Sequence, residues 1–148
     1  MPTLEHLDGA DLPLADVVRL YDAVGWSAYT DKPDTLAAAL AGSTRVVVAR
    51  EGTELVGLAR VISDGHSVCY LQDILVHPAH QRTGLGRRLL ELALAPYAHV
   101  RQKVLLTDTE PGQKAFYESV GYRQAGGDLG QGDDDGGLPL RAFVRFDG

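Results

Sequence analysis

The sequence has one cysteine, one tryptophan and three phenylalanines, and basic residues are in the minority. A lone Cys69 cannot close an internal disulfide and reads as a small strand residue, with no activating base near it in sequence. No apolar run approaches the roughly 18–20 residues a bilayer-spanning helix needs, so no membrane segment is expected. The stretch from Met1 to Asp11 carries acids and lacks an apolar segment, so it does not read as a signal peptide; the expected location is cytoplasmic. Lys and Arg number 14 against 20 Asp and Glu, a net charge of −6. Neither nucleic acid nor an anionic membrane is therefore expected as a partner, since both need a basic face. A cationic substrate would gain a little from long-range attraction. His77 and His80 flank Pro78 without further ligands at metal spacing, so no metal is expected.

What is present suits one α/β domain covering residues 1–148, with 45% hydrophobic residues and no internal repeat. Thr3 to His6 reads as a short first strand. Asp11 is expected to cap a helix whose apolar positions Leu14, Val17, Val18, Tyr21 and Val24 follow the 3.6-residue period, with Gly25 as its stop. Asp31 or Asp34 opens a second, Ala-rich helix ending at Gly42. Three strands follow: Thr44 to Arg50, Leu55 to Ile62, and Ser67 to Val76. Asp64-Gly65 supplies a hairpin signal between the last two, and an antiparallel meander is predicted. A helix carrying Leu85, Leu89, Leu92 and Ala93 ends at Pro96. A strand from Lys103 to Thr107 and a helix from Gln113 to Ser119 come next. A parallel strand pair needs a crossover of this length, so a mixed, mostly antiparallel sheet is expected. Gly126 to Gly137, rich in Gly and Asp, reads as a mobile loop. Its acids Asp128, Asp133, Asp134 and Asp135 either attract a basic acceptor or are simply solvated. Leu140 to Phe146 is expected to be a final strand that closes the sheet; a homodimer could form if it paired or swapped between copies.

The segment that carries chemistry is Leu71-Gln72-Asp73-Ile74-Leu75-Val76-His77-Pro78-Ala79-His80-Gln81-Arg82-Thr83-Gly84-Leu85-Gly86. A strand ends, a short loop follows, and two glycines open a helix. The first N–H groups of a helix have no internal partner and lie at the positive end of its dipole. Glycine lets a phosphate approach the backbone closely, and Arg82, Arg87 and Arg88 add cations. A pyrophosphate is the natural guest. An ordinary strand-to-helix connection is the alternative. It is neither a Walker loop nor a complete dinucleotide fingerprint.

Gln81-Arg82-Thr83-Gly84-Leu85-Gly86 resembles the Q/R-x-x-G-x-G/A motif of the GNAT N-acetyltransferase superfamily. Asp73 to Pro78 resembles that family's fourth strand, and Ala115-Phe116-Tyr117-Glu118-Ser119-Val120-Gly121-Tyr122 resembles its A-x-Y-E-x-x-G-F/Y helix end. The element order matches from about Thr3 to Phe146. The resemblance implies a GNAT-like sheet with a splayed central strand pair, and acetyl-coenzyme A as co-substrate. Its pantetheine would bond to the main chain of Ile74 and Val76, with Leu75 between them. Its pyrophosphate would sit on the loop of Gln81, Arg82, Thr83, Gly84, Leu85, Gly86 and Arg87.

The resemblance also implies that Tyr117 is the general acid, and that it lies against the coenzyme. An amine attacking a thioester expels a thiolate of pKa near 8.5, and a phenol of pKa about 10 can protonate it with little mismatch. The alternative is a core aromatic. A free alkylamine is about one part in 2,500 neutral at pH 7, so a base is useful; Asp73 is the candidate, or else a carboxylate bonded to a neighbouring loop. Strand alternation lets at most one of Gln72 and Asp73 face the acceptor. Trp26, Tyr29 and Thr30 lie where the family often builds acceptor pockets; they serve the substrate, with Gln72, or plug the sheet. One departure stands out: seven residues before the tyrosine many members carry Asn, and here it is Glu110, which cannot donate the same hydrogen bonds. The expected activity is N-acetylation of a small primary amine by direct attack in a ternary complex. A non-catalytic acetyl-coenzyme A-binding module, and an enzyme acting on a protein N-terminus or lysine, are the alternatives.

Overall fold

The computed structural model describes residues 1–129 and 140–147. Its strands are β1 (Thr3–Leu7), β2 (Arg45–Glu51), β3 (Glu54–Ser63), β4 (Val68–Val76), β5 (Gln102–Asp108), β6 (Arg123–Leu129) and β7 (Leu140–Phe146), ordered β1-β2-β3-β4-β5-β7-β6 in one sheet. The helices are α1 (Leu14–Ala23), α2 (Ser27–Thr30), α3 (Pro33–Ala41), α4 (Leu85–Leu94) and α5 (Gln113–Ser119). The sheet is mixed and mostly antiparallel, as its sequence implied. No helix among the described residues is long and apolar enough to cross a membrane.

The chain divides into two compact units, one of residues 1–62 and 72–96, the other of residues 63–71 and 97–148. In the first, β1, β2 and β3 pair antiparallel in sequence order. Leu55 to Val61 of β3 are all buried, so both faces of that strand are covered. Val46 and Val48 turn to a core shared with Val17, Leu20 and Tyr21 of α1 and with Leu36 and Leu40 of α3. On the opposite face Gly57, paired with Ala49, lies against Leu89 of α4. α4 buries Leu85, Leu89, Leu90, Ala93 and Leu94, a stripe at helical spacing.

In the second unit, Val68 to Leu71 of β4 run parallel to Gln102 to Leu105 of β5. β7 pairs antiparallel with both β5 and β6. Tyr117, Tyr122 and Phe143 form a buried ring cluster with centroids 5.5–6.0 Å apart. Lys103 is wholly buried, its Nζ donating to the Val100 carbonyl at 2.8 Å and pairing with Asp147 at 2.6 Å.

Several expectations need correction. Asp11 does not cap α1: it ends a 3-10 turn over Gly9–Asp11 whose cap is Asp8, and Pro13 stands at the start of α1. Proline with its fixed φ suits a helix start without a side-chain cap. The Ala-rich helix opens at Pro33, one residue before Asp34, which lies in its first turn. α2 is an additional four-residue turn. Gly126 to Leu129 belong to β6 rather than to a loop. The rest of the Gly126–Gly137 call lies outside the described residues, with Asp133, Asp134 and Asp135. β7 does not close the sheet as an edge strand: β6 does. With β7 bonded on both sides, it offers no free edge for the pairing on which the homodimer rested.

Gly9 shows how tightly this frame is drawn. It is buried, and a Cβ there would fall 2.0 Å from the Leu40 carbonyl oxygen, a backbone atom that cannot rotate away. Gly9→Ala should therefore cost about 1–3 kcal/mol through forced movement of α3, read as a lower urea midpoint at unchanged slope.

Candidate functional site

In the first unit, the carboxylate of Asp73 gathers four elements. Arg60 of β3 donates from Nε to Oδ2 at 2.6 Å. Tyr21 of α1 donates its hydroxyl to the same oxygen at 2.9 Å, and Tyr29 of α2 donates to Oδ1 at 2.8 Å. Arg60 also reaches the Ser43 hydroxyl at 3.3 Å and the Tyr29 oxygen at 3.5 Å. Exposure is 3% for Asp73 and 6% for Arg60. Burial, and then the Asp73 charge, raise the Tyr21 and Tyr29 phenols above their ordinary range, so both stay protonated donors. Arg60 is held more firmly charged: burial alone would lower it, but the Asp73 charge and the hydrogen bonds to Asp73 and Tyr29 together raise it.

Asp73, expected as a base, is placed by the structure as the acceptor of these bonds. Its oxygens accept three side-chain donors, and among the described residues it is the only counter-charge drawn up to the buried Arg60 guanidinium. A base must be free to take a proton from the amine, within hydrogen-bond reach.

Sequence reasoning missed Arg60 and Tyr21. The available signal was a charged residue inside each of two apolar strands, Arg60 among Leu55 to Val61 and Asp73 between Leu71 and Leu75. Two opposite charges at such positions point to a buried pair.

The proposed substrate residues Trp26, Tyr29 and Gln72 do come together. Trp26 and Tyr29 are half-buried, their ring centroids 6.1 Å apart, and Tyr21 meets both edge-on. Gln72 donates from Nε2 to the Tyr29 oxygen at 3.1 Å. Alternation holds along β4, with Gln72, Ile74 and Val76 half-buried and Leu71, Asp73 and Leu75 buried. Gln72 and Asp73 nonetheless both reach the Tyr29 hydroxyl.

The Gly-rich segment lies at the start of α4. Gln81 to Gly84 are exposed, Leu85 is buried, and Gly86 is half-buried. Arg82 takes φ +62° and Gly84 φ +83°. Gly84 stands at the helix N-cap without a side-chain cap. The first helical bond drawn from beyond it runs from the Arg88 N–H to the Gly84 carbonyl at 3.2 Å. The amides of Leu85, Gly86 and Arg87 thus lie ahead of the first helical donor, the Arg88 N–H, and form a set suited to a phosphate. Thr83 anchors the loop to the His80 carbonyl at 2.6 Å, and Gln81 donates to the Val76 carbonyl at 3.2 Å. A carbonyl has a second lone pair, so that bond leaves room for another donor at Val76. Arg87 pairs with Glu91 and Arg88 reaches the Pro2 carbonyl. His77 is occupied as a cap, accepting from the Ala79 N–H.

In the second unit, Tyr117 is 4% exposed. Burial raises its phenol well above the ordinary 10, only partly offset by a hydrogen bond with the Thr107 side chain. The near-match with a leaving thiolate expected from the sequence is thus widened. Glu110 is exposed, and its N–H donates to Asp108 at 3.0 Å.

The acetyltransferase (GNAT) domain family matches residues 17–133. The GNAT-family acetyltransferase SP0256 of Streptococcus pneumoniae TIGR4 is 34% identical, superimposes with a TM-score of 0.71, and is matched over 81% of this chain and 86% of its own. An aminoglycoside 6'-N-acetyltransferase solved with coenzyme A shares the fold, with a TM-score of 0.76 at 19% identity over 97% of this chain and 96% of its own. Histone acetyltransferase TAP1 of Glycine max is 31% identical over 137 residues, 81% of this chain and 57% of that protein. The chain spans 34% to 66% of the length of the curated relatives it matches.

Proposed function

The chain belongs to the GNAT acetyltransferase family, and from that we propose that it transfers the acetyl group of acetyl-coenzyme A to a primary amine by direct attack in a ternary complex. The observation that carries this reading is the start of α4, where the amides of Leu85, Gly86 and Arg87 follow an exposed loop and no side chain caps them. In this reading they hold the diphosphate with Gln81 to Gly84, and the main chain of Ile74, Leu75 and Val76 carries the pantetheine. The described register of β4 with β5 ends at Leu71, which supports that role for the remainder of β4.

The amine nitrogen attacks the thioester carbon, the C–S bond breaks, and the leaving sulfur takes its proton from the Tyr117 hydroxyl. The amine's own proton passes to water, since Asp73 is committed to Arg60. A small amine is the preferred acceptor. Tyr29 is pinned by its bonds to Asp73 and Gln72 and packed against Trp26, a fixed aromatic corner rather than an open groove. The likeness to a histone acetyltransferase supports a second reading, in which the amine is a protein lysine. A cytoplasmic setting belongs to the proposal, since it supplies the coenzyme.

Calorimetry with coenzyme A, followed by thiol release from acetyl-coenzyme A across small amines and lysine peptides, tests the proposal. Absence of binding heat at millimolar coenzyme would remove it; turnover confined to peptides would select the second acceptor class. Tyr117→Phe should lower kcat about 10²- to 10⁴-fold, as expected for loss of a general acid, with coenzyme affinity retained. Unchanged turnover would take Tyr117 out of the mechanism.

A further inference from the structure

We infer that Gln72 is a specificity-determining residue whose Oε1 accepts a hydrogen bond from the amine substrate, and that Arg60, Asp73 and Tyr29 fix it in that orientation. The inference rests on the acetyltransferase reading above and adds to it the group that recognises the amine.

Each hydrogen bond in the cluster has one possible direction. Arg60 can only donate, and its Nε lies 2.6 Å from Asp73 Oδ2. Asp73 enters as the carboxylate partner and only accepts. Tyr29 has one hydroxyl proton, and Asp73 Oδ1 takes it at 2.8 Å. The Tyr29 oxygen is then an acceptor toward its other neighbours. Gln72, 3.1 Å away, must present its NH₂ to that oxygen. The opposite amide orientation would set two lone-pair-bearing oxygens against each other. With Nε2 directed at Tyr29, Oε1 is turned elsewhere, and no partner for it occurs among the described residues. A buried ion pair thus dictates the polarity of a half-exposed amide through one phenol.

The position of Gln72 gives this polarity a use. Gln72, Ile74 and Val76 share the less buried face of β4. Gln72 is two residues upstream of Ile74, about 7 Å along a strand. A coenzyme held on Ile74 to Val76 from the α4 end directs its thioester toward Gln72. An acceptor oxygen there favours a substrate that brings N–H donors, and disfavours hydrocarbon.

Steady-state kinetics on the full chain, with an amine from the panel above, tests the inference. Gln72→Leu should raise the amine KM about tenfold, the effect of one lost hydrogen bond with its partner left unsatisfied, with the acetyl-coenzyme A KM and melting temperature unchanged. Tyr29→Phe, which releases the amide to rotate, should raise the amine KM in the same direction by less. Gln72→Glu loses the donor that the Tyr29 oxygen accepts and sets carboxylate oxygens against it, so it should also raise the amine KM. A wild-type amine KM in Gln72→Leu would overturn the inference and leave the acetyltransferase reading intact, as would a wild-type amine KM in Tyr29→Phe. Failure of the wild-type protein to turn over any amine would defeat both together.

Discussion

Asp73→Asn should lower the unfolding free energy by about 3–5 kcal/mol, because it leaves a buried guanidinium without its counter-charge. Arg60 is 6% exposed and Asp73 is its only ion-pair partner among the described residues. Breaking such a pair is costlier than never having made it. The combination Arg60→Met, Asp73→Leu and Tyr21→Phe should recover most of the loss, since it removes both charges and the buried hydroxyl that relied on them. Chemical denaturation of the single and triple variants gives the comparison. The experiment also separates two roles for Asp73. A general base replaced by Asn would leave a stable, inactive protein, whereas a structural carboxylate would give activity that falls with the folded fraction. An unchanged midpoint in Asp73→Asn would show that the pair is not desolvated.

The second large effect is expected in alkali. Tyr21, Tyr117 and Tyr122 are buried, and burial is the leading cause that raises each phenol above the ordinary 10. Below pH 10 both folded and unfolded chains keep these protons, so stability does not change. Above it the unfolded chain releases them while the folded chain cannot, and the equilibrium moves toward unfolding. Three such groups give a slope of about 4 kcal/mol per pH unit. Against a typical stability of about 5–15 kcal/mol, the fold should collapse within a few units above pH 10. Cys69, pushed up to about 11 by burial from 9.0, begins the decline somewhat earlier. Phenolate absorbance and circular dichroism followed together should change in one cooperative step. Smooth titration of every tyrosine near pH 10, with the dichroism still native, would contradict this.

Periodic elements were legible in the sequence and paired polar ones were not. The sequence pattern places a helix at Gln113 to Ser119 and a strand at Leu140 to Phe146, and α5 and β7 match both. Gly112 and Gly121 bracket the helix region at positive φ, and β7 carries one buried residue, Phe143, among less buried neighbours. β6 was lost because Gly126 and Gly127 have no β propensity; its strand character comes from pairing with β7. α2 is one turn long, too short for any periodicity to show. At the site, the Gly84 helix start was visible because its signal is local. The Asp73 cluster was not, because its members come from α1, α2, β3 and β4, and only folding brings residues 21, 29, 60 and 73 together. Trp26, Tyr29 and Gln72 were placed in one region, but the bond that links Tyr29 to Gln72 could not be read from the sequence.

The insertion of β7 between β5 and β6 bears on how the molecule reaches its native state. Leu105 meets Phe143 across 38 positions of sequence, a far larger separation than that between the ends of a hairpin. Closing so long a span slows the search for the native arrangement more than it weakens the product. Until β7 docks, β5 lacks its antiparallel partner and β6 has no neighbour at all. Those unsatisfied strand margins are templates for pairing with another chain, so the nascent protein is at greatest risk of aggregation during the interval before β7 is in place.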